Sequence, residues 1–397
     1  MTATLDEPRP PRLSLVALFF RFLRFGVLAF GGPVAQIAMI RRELVDEERW
    51  LSSARFNRLL AVMQVLPGPE AHELCVHRGI MARGRIGGVL AGLGFMLPGF
   101  VLMLGAAWAY EALVLGRSAW GGALLGVQIV VVALIARAVQ RIGGHGLEDG
   151  WLWAIAAAAF VASLIGAPFW IPLLAGGLIY SLPRRPWLTG LVAVIAIALA
   201  VGLRPSASGD LVLADGATTP TDTLALFIAG LKGGLLTFGG AYTAIPYLRA
   251  DTVARGWLGD SAFLDGVALA GVLPAPLVIF GTFVGYVAGG WAGALAVTAG
   301  IFLPAFAFSL ILFERLEAIV DHPGLHRLLA GVAAAVVGVI AATCIQLGWS
   351  TVQRAPAIWS VGLLFAAALA AVWWVKGRWA APLLILAGVI VGRLAFG

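Results

Sequence analysis

The chain has 397 residues, of which 61% are hydrophobic and only 12% are charged, and its mean hydropathy is +0.96. Soluble domains are about half apolar and a quarter charged, so a soluble enzyme and a nucleic-acid-binding protein are both excluded. Arginines in cytoplasmic loops, which orient membrane proteins, explain the formal net charge of +7 better than a nucleic-acid partner does. The sequence therefore predicts an all-α polytopic integral membrane protein.

Several uncharged stretches are long enough to cross a bilayer as single helices. In chain order they are residues 86–110, 118–136, 187–203, 328–353 and 355–375. Residues 150–183 are also uncharged, but Gly166-Ala167-Pro168 interrupts them and predicts two short helices. Residues 266–313 are too long for one crossing and must hold more than one element.

Two apolar segments of the first half carry breaks at which a continuous helix is not expected. Residues 13–40 contain Phe30-Gly31-Gly32-Pro33, and residues 59–82 contain Leu66-Pro67-Gly68-Pro69. Proline removes a backbone donor and glycine permits unwinding, so both segments are predicted to be broken helices. Because basic residues flank both segments, each is expected to enter the membrane and return as a re-entrant hairpin. A simple proline kink is the alternative.

The landmarks of the first half return in the second half in the same order, 206 to 208 residues later. Phe30-Gly31-Gly32 recurs as Phe238-Gly239-Gly240, Trp50-Leu51 as Trp257-Leu258, Leu66-Pro67-Gly68-Pro69 as Leu273-Pro274-Ala275-Pro276, and Leu97-Pro98 as Leu303-Pro304. The chain is therefore read as a tandem duplication. Its predicted parts are a first half at 13–203 with a core motif at 13–110, an extracytoplasmic linker at 204–222, and a second half at 223–397 with a core motif at 223–313.

The distribution of charge predicts how the halves are oriented. The loop at residues 41–58 holds five arginines and is expected in the cytoplasm, whereas the linker at 204–222, with one arginine and three aspartates, is expected outside. Counting the stretches between these loops gives five crossings, which is an odd number. The two halves are thus predicted to have inverted topology, an arrangement with which many secondary transporters build a site at the membrane midplane.

The helix breaks are the candidate binding site. Half-helices that start inside a membrane direct unpaired N–H groups and a positive dipole end toward the break, which favours an anion. The break residues predicted to bind substrate are Phe30, Gly31, Gly32, Pro33, Pro67, Gly68, Pro69, Phe238, Gly239, Gly240, Pro274, Ala275 and Pro276. The alternative is that the glycines only allow close helix packing, as is also expected of Gly84, Gly88 and Gly92.

Two basic residues lie inside the apolar segments, where a charge is costly. Arg24 and Lys232 each stand six residues before a break, at the same position of the repeat. Both are predicted to compensate the charge of a bound dianion. Snorkelling of the side chains to the membrane interface is the alternative.

A group of titratable residues follows the first Pro-Gly-Pro break. Glu70 comes directly after it, and its counterpart in the second half is Leu277. Because burial favours the protonated form of a carboxyl group, Glu70 is predicted to couple protons to transport, with Glu73 and His72 able to share that role. The alternative is that these side chains line the aqueous mouth of the break.

No cofactor, metal site or catalytic group is indicated. His72 and His77 are five residues apart, whereas the zinc-protease helix needs histidines four apart. Cys75 and Cys344 lie in apolar sequence and suggest neither a disulfide nor a thiolate site. Neither a Walker lysine loop nor a nucleophile elbow occurs, so ATP-driven transport and an enzymatic activity are not expected.

The assembled motifs resemble the chromate ion transporter family in its long, two-repeat form. They are Arg24-Phe25-Gly26, Phe30-Gly31-Gly32-Pro33, Arg41-Arg42-Glu43, Trp50-Leu51-Ser52, Leu66-Pro67-Gly68-Pro69-Glu70-Ala71 and Phe238-Gly239-Gly240-Ala241-Tyr242. The resemblance implies efflux of chromate, a small tetrahedral oxyanion, across the inner (plasma) membrane, driven by an ion gradient rather than ATP. Ala275 departs from the family, which usually has glycine there, and its methyl group is expected to obstruct an anion at the second break.

Other functions remain open at this point. Uptake or exchange of sulfate or another small anion would use the same helix-terminus chemistry, and the sequence does not decide the direction of transport. A lipid-headgroup flippase or a non-transporting membrane scaffold is an alternative of another class, for which a lateral opening lined by arginines would be diagnostic. The expected partners are the oxyanion and the lipid bilayer, without nucleic acid, and a homodimer is kept as a hypothesis.

Overall fold

The computed structural model of the protein describes residues 13–63, 66–114, 120–182, 186–203, 222–237, 241–312, 323–356, 358–375, 377 and 379–396. Every regular element in these ranges is helical, as predicted. The first half forms α1 (Leu15–Val27), α2 (Gly32–Arg41), α3 (Ser53–Met63), α4 (Glu70–Leu113), α5 (Gly121–Gly146), α6 (Gly150–Leu164), α7 (Trp170–Ser181) and α8 (Pro186–Gly202). A π-helical turn at Arg42–Glu47 continues α2.

The second half begins with the same succession of elements. It forms α9 (Thr223–Leu235), α10 (Ala244–Thr252), α11 (Asp260–Val272), α12 (Phe280–Leu312), α13 (Pro323–Val352), α14 (Ile358–Trp374) and α15 (Ala380–Phe396). Short 3₁₀ turns at Ala241–Thr243 and Leu277–Ile279 lead into α10 and α12. The predicted linker at 204–222 lies outside the described residues except for Asp222, which caps α9.

The breaks predicted in the first half are confirmed. The chain leaves α1 at Val27 and enters α2 at Gly32, and it leaves α3 at Met63 and enters α4 at Glu70. Gly31 has a φ of +90°, a left-handed conformation that glycine adopts without a steric penalty. The glycine and proline residues thus act as helix breakers here and not as simple kinks.

The predictions for the long uncharged stretches are confirmed in their number of elements and wrong in two boundaries, since the helix predicted to begin at 328 begins at Pro323 and contains Arg327. Residues 150–183 form the two short helices α6 and α7, and residues 266–313 hold the end of α11, a turn and α12. The helix predicted at 118–136 instead runs from Gly121 to Gly146. The prediction ended it at the first charged residue, but Arg137 and Arg141 lie inside the helix, because a charge does not by itself end a helix.

The sequence separated the two limbs of α4, as segments ending at 82 and beginning at 86, but it did not reveal that α4 and α12 are each folded back as a helical hairpin. In α4, Arg83 (φ −146°, ψ 29°) and Gly84 (φ 67°, ψ −164°) separate a first limb at 70–82 from a second limb at 85–113. In α12, Gly289 (φ −151°, ψ 24°) and Gly290 (φ 60°, ψ −150°) separate limbs at 280–288 and 291–312. The two turns share one backbone conformation 206 residues apart, so the duplication extends to the dihedral angles.

Glycine lets the two limbs of each hairpin touch through their backbones. A Cβ atom added at Gly79 would clash with the carbonyl oxygen of Gly87 across the hairpin. In α12 a Cβ atom added at Gly285 would clash with the carbonyl oxygen of Gly293. The glycines of this region therefore do serve close packing, as expected for Gly88, whereas Gly84 has a different role at the turn itself.

The surface identifies a multi-pass membrane protein. Four helices are long and apolar enough to cross a bilayer within the described residues: Glu70–Leu113, Gly121–Gly144, Leu277–Ile311 and Arg327–Val352. Large apolar side chains, among them Trp151, Trp187, Trp359, Trp374 and Leu394, point outward with more than half of their surface exposed. Soluble proteins rarely expose so much apolar surface, so lipid is the environment that this exterior fits.

The two halves contact each other through equivalent pairs of residues. A Cβ atom added at Gly68 would lie 2.9 Å from the Cβ of Ala305, and one added at Gly99 would clash with the Cβ of Ala275. Ala275 occupies the repeat position of Gly68, and Ala305 that of Gly99. Reciprocal contacts of this kind follow from an approximate two-fold relation between the halves.

The remaining helices pack around this centre through small residues. On one side, Gly126 of α5 lies against Gly388 and Gly392 of α15. On the other, Gly176 of α7 lies against Gly331 of α13. Close backbone approach of this kind is typical of helices in membranes, where small residues take the place of a hydrophobic driving force.

Candidate functional site at the helix breaks

The helix breaks of the two halves meet at two junctions. At one junction the backbone N–H of Gly68 donates a hydrogen bond to the carbonyl oxygen of Thr237, at 2.8 Å. At the other, Nε2 of the buried Gln36 donates to the carbonyl oxygens of Ala29 and Ala275, at 2.9 and 2.7 Å. Ala29 and Thr237 are equivalent in the repeat, as are Gly68 and Ala275. Each half thus sets its first break against the second break of the other.

The predicted break residues differ in how accessible they are. Pro67, Gly68 and Pro69 are buried, as are Pro274, Ala275 and Pro276, whereas Phe30, Gly31, Gly32 and Pro33 are partly exposed. The methyl group of Ala275 packs against Gly99. Phe238, Gly239 and Gly240 lie outside the described residues. Among the described breaks, the first one of the first half therefore offers the most access to a ligand.

A cavity of about 320 Å³ opens at this accessible break. Gly31 lies at its wall just ahead of α2, and Ala35 and Ala38 continue the wall along that helix. Arg137 and Arg141, one helical turn apart on α5, line the cavity together with Tyr242 of the second half. Residues from both halves therefore form this space. The other lining residues are Leu134, Ala138, Val372, Val375, Gly377, Ala380, Ala381 and Leu384.

The charge of the cavity is positive. No side chain caps the N-terminus of α2, so the positive end of the helix dipole at Gly31 stays available to a ligand. Arg137 and Arg141 add two guanidinium groups, whose forked N–H donors match the geometry of an oxyanion. A helix N-terminus and two arginines at one cavity are features that suit a small, negatively charged oxyanion.

Sequence reasoning missed both arginines as site residues. The available signal was their spacing, because arginines four residues apart in an otherwise apolar helix share one face. Gln36 was missed as well. Its function is visible only when the second half, 239 residues away along the chain, is in place.

The first limb of α4 buries a row of ionisable side chains next to the breaks. Glu70, His72 and Glu73 are buried as predicted, and His77 and Arg78 on the same limb, which were not predicted, are buried too. Neither carboxylate oxygen of Glu73 has a hydrogen-bond partner in the described part of the chain. A carboxyl group held without a partner is expensive to ionise, so it favours binding a proton.

The surroundings of these side chains connect them to the interface and to the cavity. The imidazole of His72 packs edge-on against Phe302 and Phe306 of the second half, with ring centroids 5.0 and 4.6 Å apart. Arg141 lies within electrostatic range of Glu70 and of Tyr242. The charge at the cavity wall thus acts directly on the carboxyl group that follows the Pro-Gly-Pro break.

Arg24 and Lys232 lie in equivalent ion pairs and away from the cavity. Arg24 contacts Glu43 at 3.4 Å, and Lys232 contacts Asp251 at 3.2 Å, with the same separation of 19 residues in each pair. The side chains of Arg24 and Lys232 remain 65% and 42% exposed. The equivalence of the two positions was predicted, but their acidic partners were not.

Together, the fold and the cavity define a multi-pass helical membrane protein with a duplicated core and a cationic site suited to a small anion. The model of the chromate transporter family matches the chain twice, at residues 16–181 and 224–393. The chain belongs to the chromate transporter family. The two matched ranges fall in the two halves recognised from the repeated motifs.

Three relatives support this membership over nearly the whole length. A chromate transport protein of Pseudomonas aeruginosa is 56% identical over 100% of this chain and 96% of its own. A probable chromate transport protein of Synechococcus elongatus is 29% identical over 96% of both chains. A chromate transport protein of Cupriavidus metallidurans is 29% identical over 97% of this chain and 94% of its own. No solved structure matches the chain.

Proposed function

We propose that the protein is a secondary active transporter that exports chromate across the inner (plasma) membrane, driven by a proton gradient. The observation that carries this proposal is the cavity at the first break, where Gly31, Arg137 and Arg141 surround a space of about 320 Å³. Two guanidinium groups and one helix N-terminus balance the charge of a dianion. The names of the full-length relatives point to chromate as that dianion.

Anion flux into proteoliposomes tests the proposal. The double variant Arg137→Gln with Arg141→Gln is expected to lower chromate flux about tenfold or more, because each charged hydrogen bond contributes about 1.5–3 kcal/mol. Arg42→Gln is the matched control, since Arg42 is exposed and pairs with Glu47 outside the cavity. Equal flux in both variants at matched expression would overturn the assignment of the site.

The same assay separates the competing substrates and directions. Sulfate and phosphate are supplied in place of chromate, and a higher sulfate rate would favour the sulfate alternative. Everted membrane vesicles that accumulate chromate indicate export, whereas accumulation in right-side-out vesicles indicates uptake. A lipid-headgroup flippase would move labelled lipid and leave all three anions untransported.

We infer that the two halves have inverted topology, with the first half at 13–203 and the second at 223–397. Two contacts support an antiparallel arrangement of the long limbs. Gly92, early in the second limb of α4, packs on Phe306, late in that of α12. Tyr110, late in α4, packs edge-on against Phe283, with centroids 5.0 Å apart, and Phe283 lies two residues before Gly285, which contacts Gly293 near the start of residues 291–312.

The count of helices between the turn at Arg83 and the start of the second half at 223 agrees with inversion. α6 and α7 pack as an antiparallel pair and return the chain to the side from which it entered, whether or not each helix spans the bilayer. The second limb of α4, α5 and α8 then remain as three crossings. An odd total places the start of the second half on the opposite side.

Cysteine labelling tests the inversion. Asp46 and Ala254 are exposed and occupy the same position of the repeat, so Asp46→Cys and Ala254→Cys should react with an impermeant maleimide from opposite sides. The parent protein, whose Cys75 and Cys344 are both buried, is the control. Labelling of both variants from one side would exclude the inverted arrangement.

We further propose that Glu70 couples proton movement to anion movement, with Glu73 and His72 as neighbouring proton-binding groups. Protonation of Glu70 removes a negative charge from the range of Arg141 and admits the dianion, and deprotonation expels it. One proton and one dianion move together with a net negative charge, so a membrane potential that is negative inside favours their export. Glu70→Gln mimics the neutral form. We expect it to abolish gradient-driven flux while chromate binding persists, and Glu47→Gln, at an exposed position, serves as the control.

We propose that Arg24 and Lys232 do not act as fixed ligands of the anion. Each contributes a free positive charge to the anion path only when its ion pair with Glu43 or Asp251 opens. Arg24→Ala and Lys232→Ala are therefore expected to slow flux more than they weaken binding.

A homodimer is proposed from the sequence alone, and the molar mass of the protein in detergent, measured by light scattering, tests it.

A further inference from the structure

A second polar cavity lies at the opposite end of α5. Its volume is about 360 Å³, and its polar walls come from Gln128 of α5, Ser261 of α11 and Arg354, which follows α13. Gln128 precedes Arg137 by nine residues of one helix, or about 14 Å at 1.5 Å per residue. The other lining residues are Gly121, Gly122, Leu124, Leu125, Pro356 and Phe396. This cavity is thus separate from the one at Gly31.

The N-terminus of α5 supplies hydrogen-bond donors to this cavity. Trp120 precedes the helix and makes no side-chain capping bond, and no acidic residue lies in the first turn. A Cβ atom added at Gly121 would meet nothing within 4 Å, so the helix start is open. The first N–H groups of a helix lack intrahelical partners. They therefore face a space that can hold an acceptor.

Arg354 supplies the positive charge. Its Nε donates to the carbonyl oxygen of Ser350 at 2.9 Å, and its Nη2 donates to Ser350 Oγ at 3.3 Å. An arginine carries five N–H donors, and these two bonds engage two of them. The bonds to Ser350 hold the guanidinium at the cavity wall with donor capacity remaining.

Gln128 supplies an acceptor, and this distinguishes the cavity from an ordinary anion site. The side chain is only 2% exposed, and its Nε2 donates to Ser261 Oγ at 2.8 Å and to Asp265 Oδ1 at 2.9 Å. These two bonds fix the orientation of the amide. Oε1 is then left without a partner within the described residues. A buried carbonyl oxygen of this kind requires a donor, so the ligand must itself carry a hydrogen-bonding proton.

The charged groups around the cavity also favour a ligand that retains a proton. Asp265 accepts hydrogen bonds from Gln128 and from the Tyr110 hydroxyl at 2.8 Å, which is the pattern of an ionised carboxylate. Its negative charge offsets that of Arg354, the one cation in the described lining. Attraction to Arg354 and repulsion from Asp265 both scale with the charge of the ligand, so together they give a dianion no clear advantage over a monoanion. The cavity at Arg137 and Arg141 has two cations in its described lining and no carboxylate.

We propose that the cavity at the start of α5 is a second ligand site, which binds a small tetrahedral oxyanion that retains one proton. The oxygens of the anion accept from Arg354 and from the first N–H groups of α5, while its hydroxyl group donates to Gln128 Oε1. The assignment of the ligand class rests on the proposed function. The two ends of α5 then differ, with a dianion at Arg137 and Arg141 and a protonated monoanion at Arg354.

Calorimetric titration of the full chain in detergent tests this site. The probes are chromate, which takes up a proton as the pH falls through neutrality, and sulfate, which does not. The charged and titratable groups around the cavity are Asp265, Tyr110, Arg354 and Asp260. Sulfate titrated at the same two pH values controls for their own ionisation.

We expect a chromate-binding component that tightens about tenfold, or about 1.4 kcal/mol, from pH 8 to pH 6 and is absent for sulfate, because chromate gains a proton over this range and sulfate does not. Arg354→Gln should remove this component and leave the one at Arg137 and Arg141, whereas Arg137→Gln should weaken only the latter. Arg354→Lys and Ser261→Ala are milder variants, expected to weaken the component severalfold if Arg354→Gln fails to fold. Chromate binding unchanged in Arg354→Gln, Arg354→Lys and Ser261→Ala, or sulfate binding as tightly as chromate at pH 6, overturns the proposal.

The outcome is distinguishable from a failure of the proposed function. Binding at Arg354 without any chromate flux in proteoliposomes would reject transport and keep the site. Flux that depends on Arg137 and Arg141, with no binding component lost on changing Arg354, would keep transport and reject the site.

Discussion

The first limbs of the two helical hairpins have the same backbone and opposite chemistry. Residues 70–82 and 280–288 both end in a turn with nearly identical dihedral angles, and both pack on their second limbs through glycine. The limb of the first half buries acidic, basic and histidine side chains, whereas residues 277–288 contain none of these. Because the second hairpin forms without buried charge, the charges of the first are not needed for folding. Burying these charges costs free energy, and we attribute their presence to function.

The largest loss of stability is expected from changes at the glycine contacts that the two hairpins share. Gly79→Leu and Gly285→Leu each force a side chain into a backbone carbonyl of the opposite limb. Both should destabilise the fold by more than about 3 kcal/mol, at the upper end for overpacked sites, and largely abolish monodisperse protein on size exclusion. Gly105→Leu, at an open position of α4, is the control. A well-folded Gly285→Leu variant would mean that only the first hairpin is closed.

The next largest effect tests the difference in buried charge between the two first limbs. Leu277→Glu places a carboxyl group at the buried counterpart of Glu70 without the neighbouring arginine, and should cost about 3–5 kcal/mol, the scale of an unpaired buried charge. Glu70→Leu should instead raise the thermal midpoint while abolishing proton-coupled flux. Thermal unfolding in detergent measures both. A lower midpoint for Glu70→Leu would show that the carboxyl group is structural.

A smaller effect distinguishes the two junctions between the halves. Gln36→Leu leaves the carbonyl oxygens of Ala29 and Ala275 without their shared donor, which should cost about 1–3 kcal/mol. The equivalent junction, closed by the backbone of Gly68, is unaffected. Gln140→Leu, at an exposed position of α5, is the control, and equal thermal midpoints in the two variants would contradict the bridging role.

The smallest effect concerns the equivalent ion pairs. Double-mutant cycles on Arg24 with Glu43 and on Lys232 with Asp251 should each give a coupling energy below about 1 kcal/mol, because the basic partners are largely exposed. Reversing both charges of a pair should restore most of the loss. Coupling of several kcal/mol in one pair alone would show that the halves differ here too.

The parts of the fold that follow from local chemistry could be predicted. The break at Gly31, the two helices on either side of Gly166 and the order of the repeated motifs all follow from residues that break or permit helices nearby. The hairpin turn at Gly290 could not, because glycines recur every few residues of that apolar run and only contacts across the turn select one of them.

The candidate site was predicted in its backbone and missed in its side chains. The helix start at Gly31 and the buried Glu70 were identified, because a break and a charge in apolar sequence are local signals. Arg137 lies more than 100 residues along the chain from Gly31, and Tyr242 is in the other half. Their meeting depends on packing between halves, for which one sequence gives no periodic signal.

The contact of glycine with glycine inside each hairpin determines how the molecule can move. Where the limbs touch backbone to backbone, at Gly79 with Gly87 and at Gly285 with Gly293, no side chain can change rotamer between them, so each hairpin is expected to behave as a single stiff rod. The contact surface between the rods is different, because Gly92 meets the ring of Phe306 and Gly68 meets the methyl of Ala305. Because glycine and alanine present little side chain at these contacts, the two hairpins can slide against each other. Any change that opens a path from one side of the membrane to the other is therefore expected as a rocking of one rod against the other, with both hairpin turns moving intact.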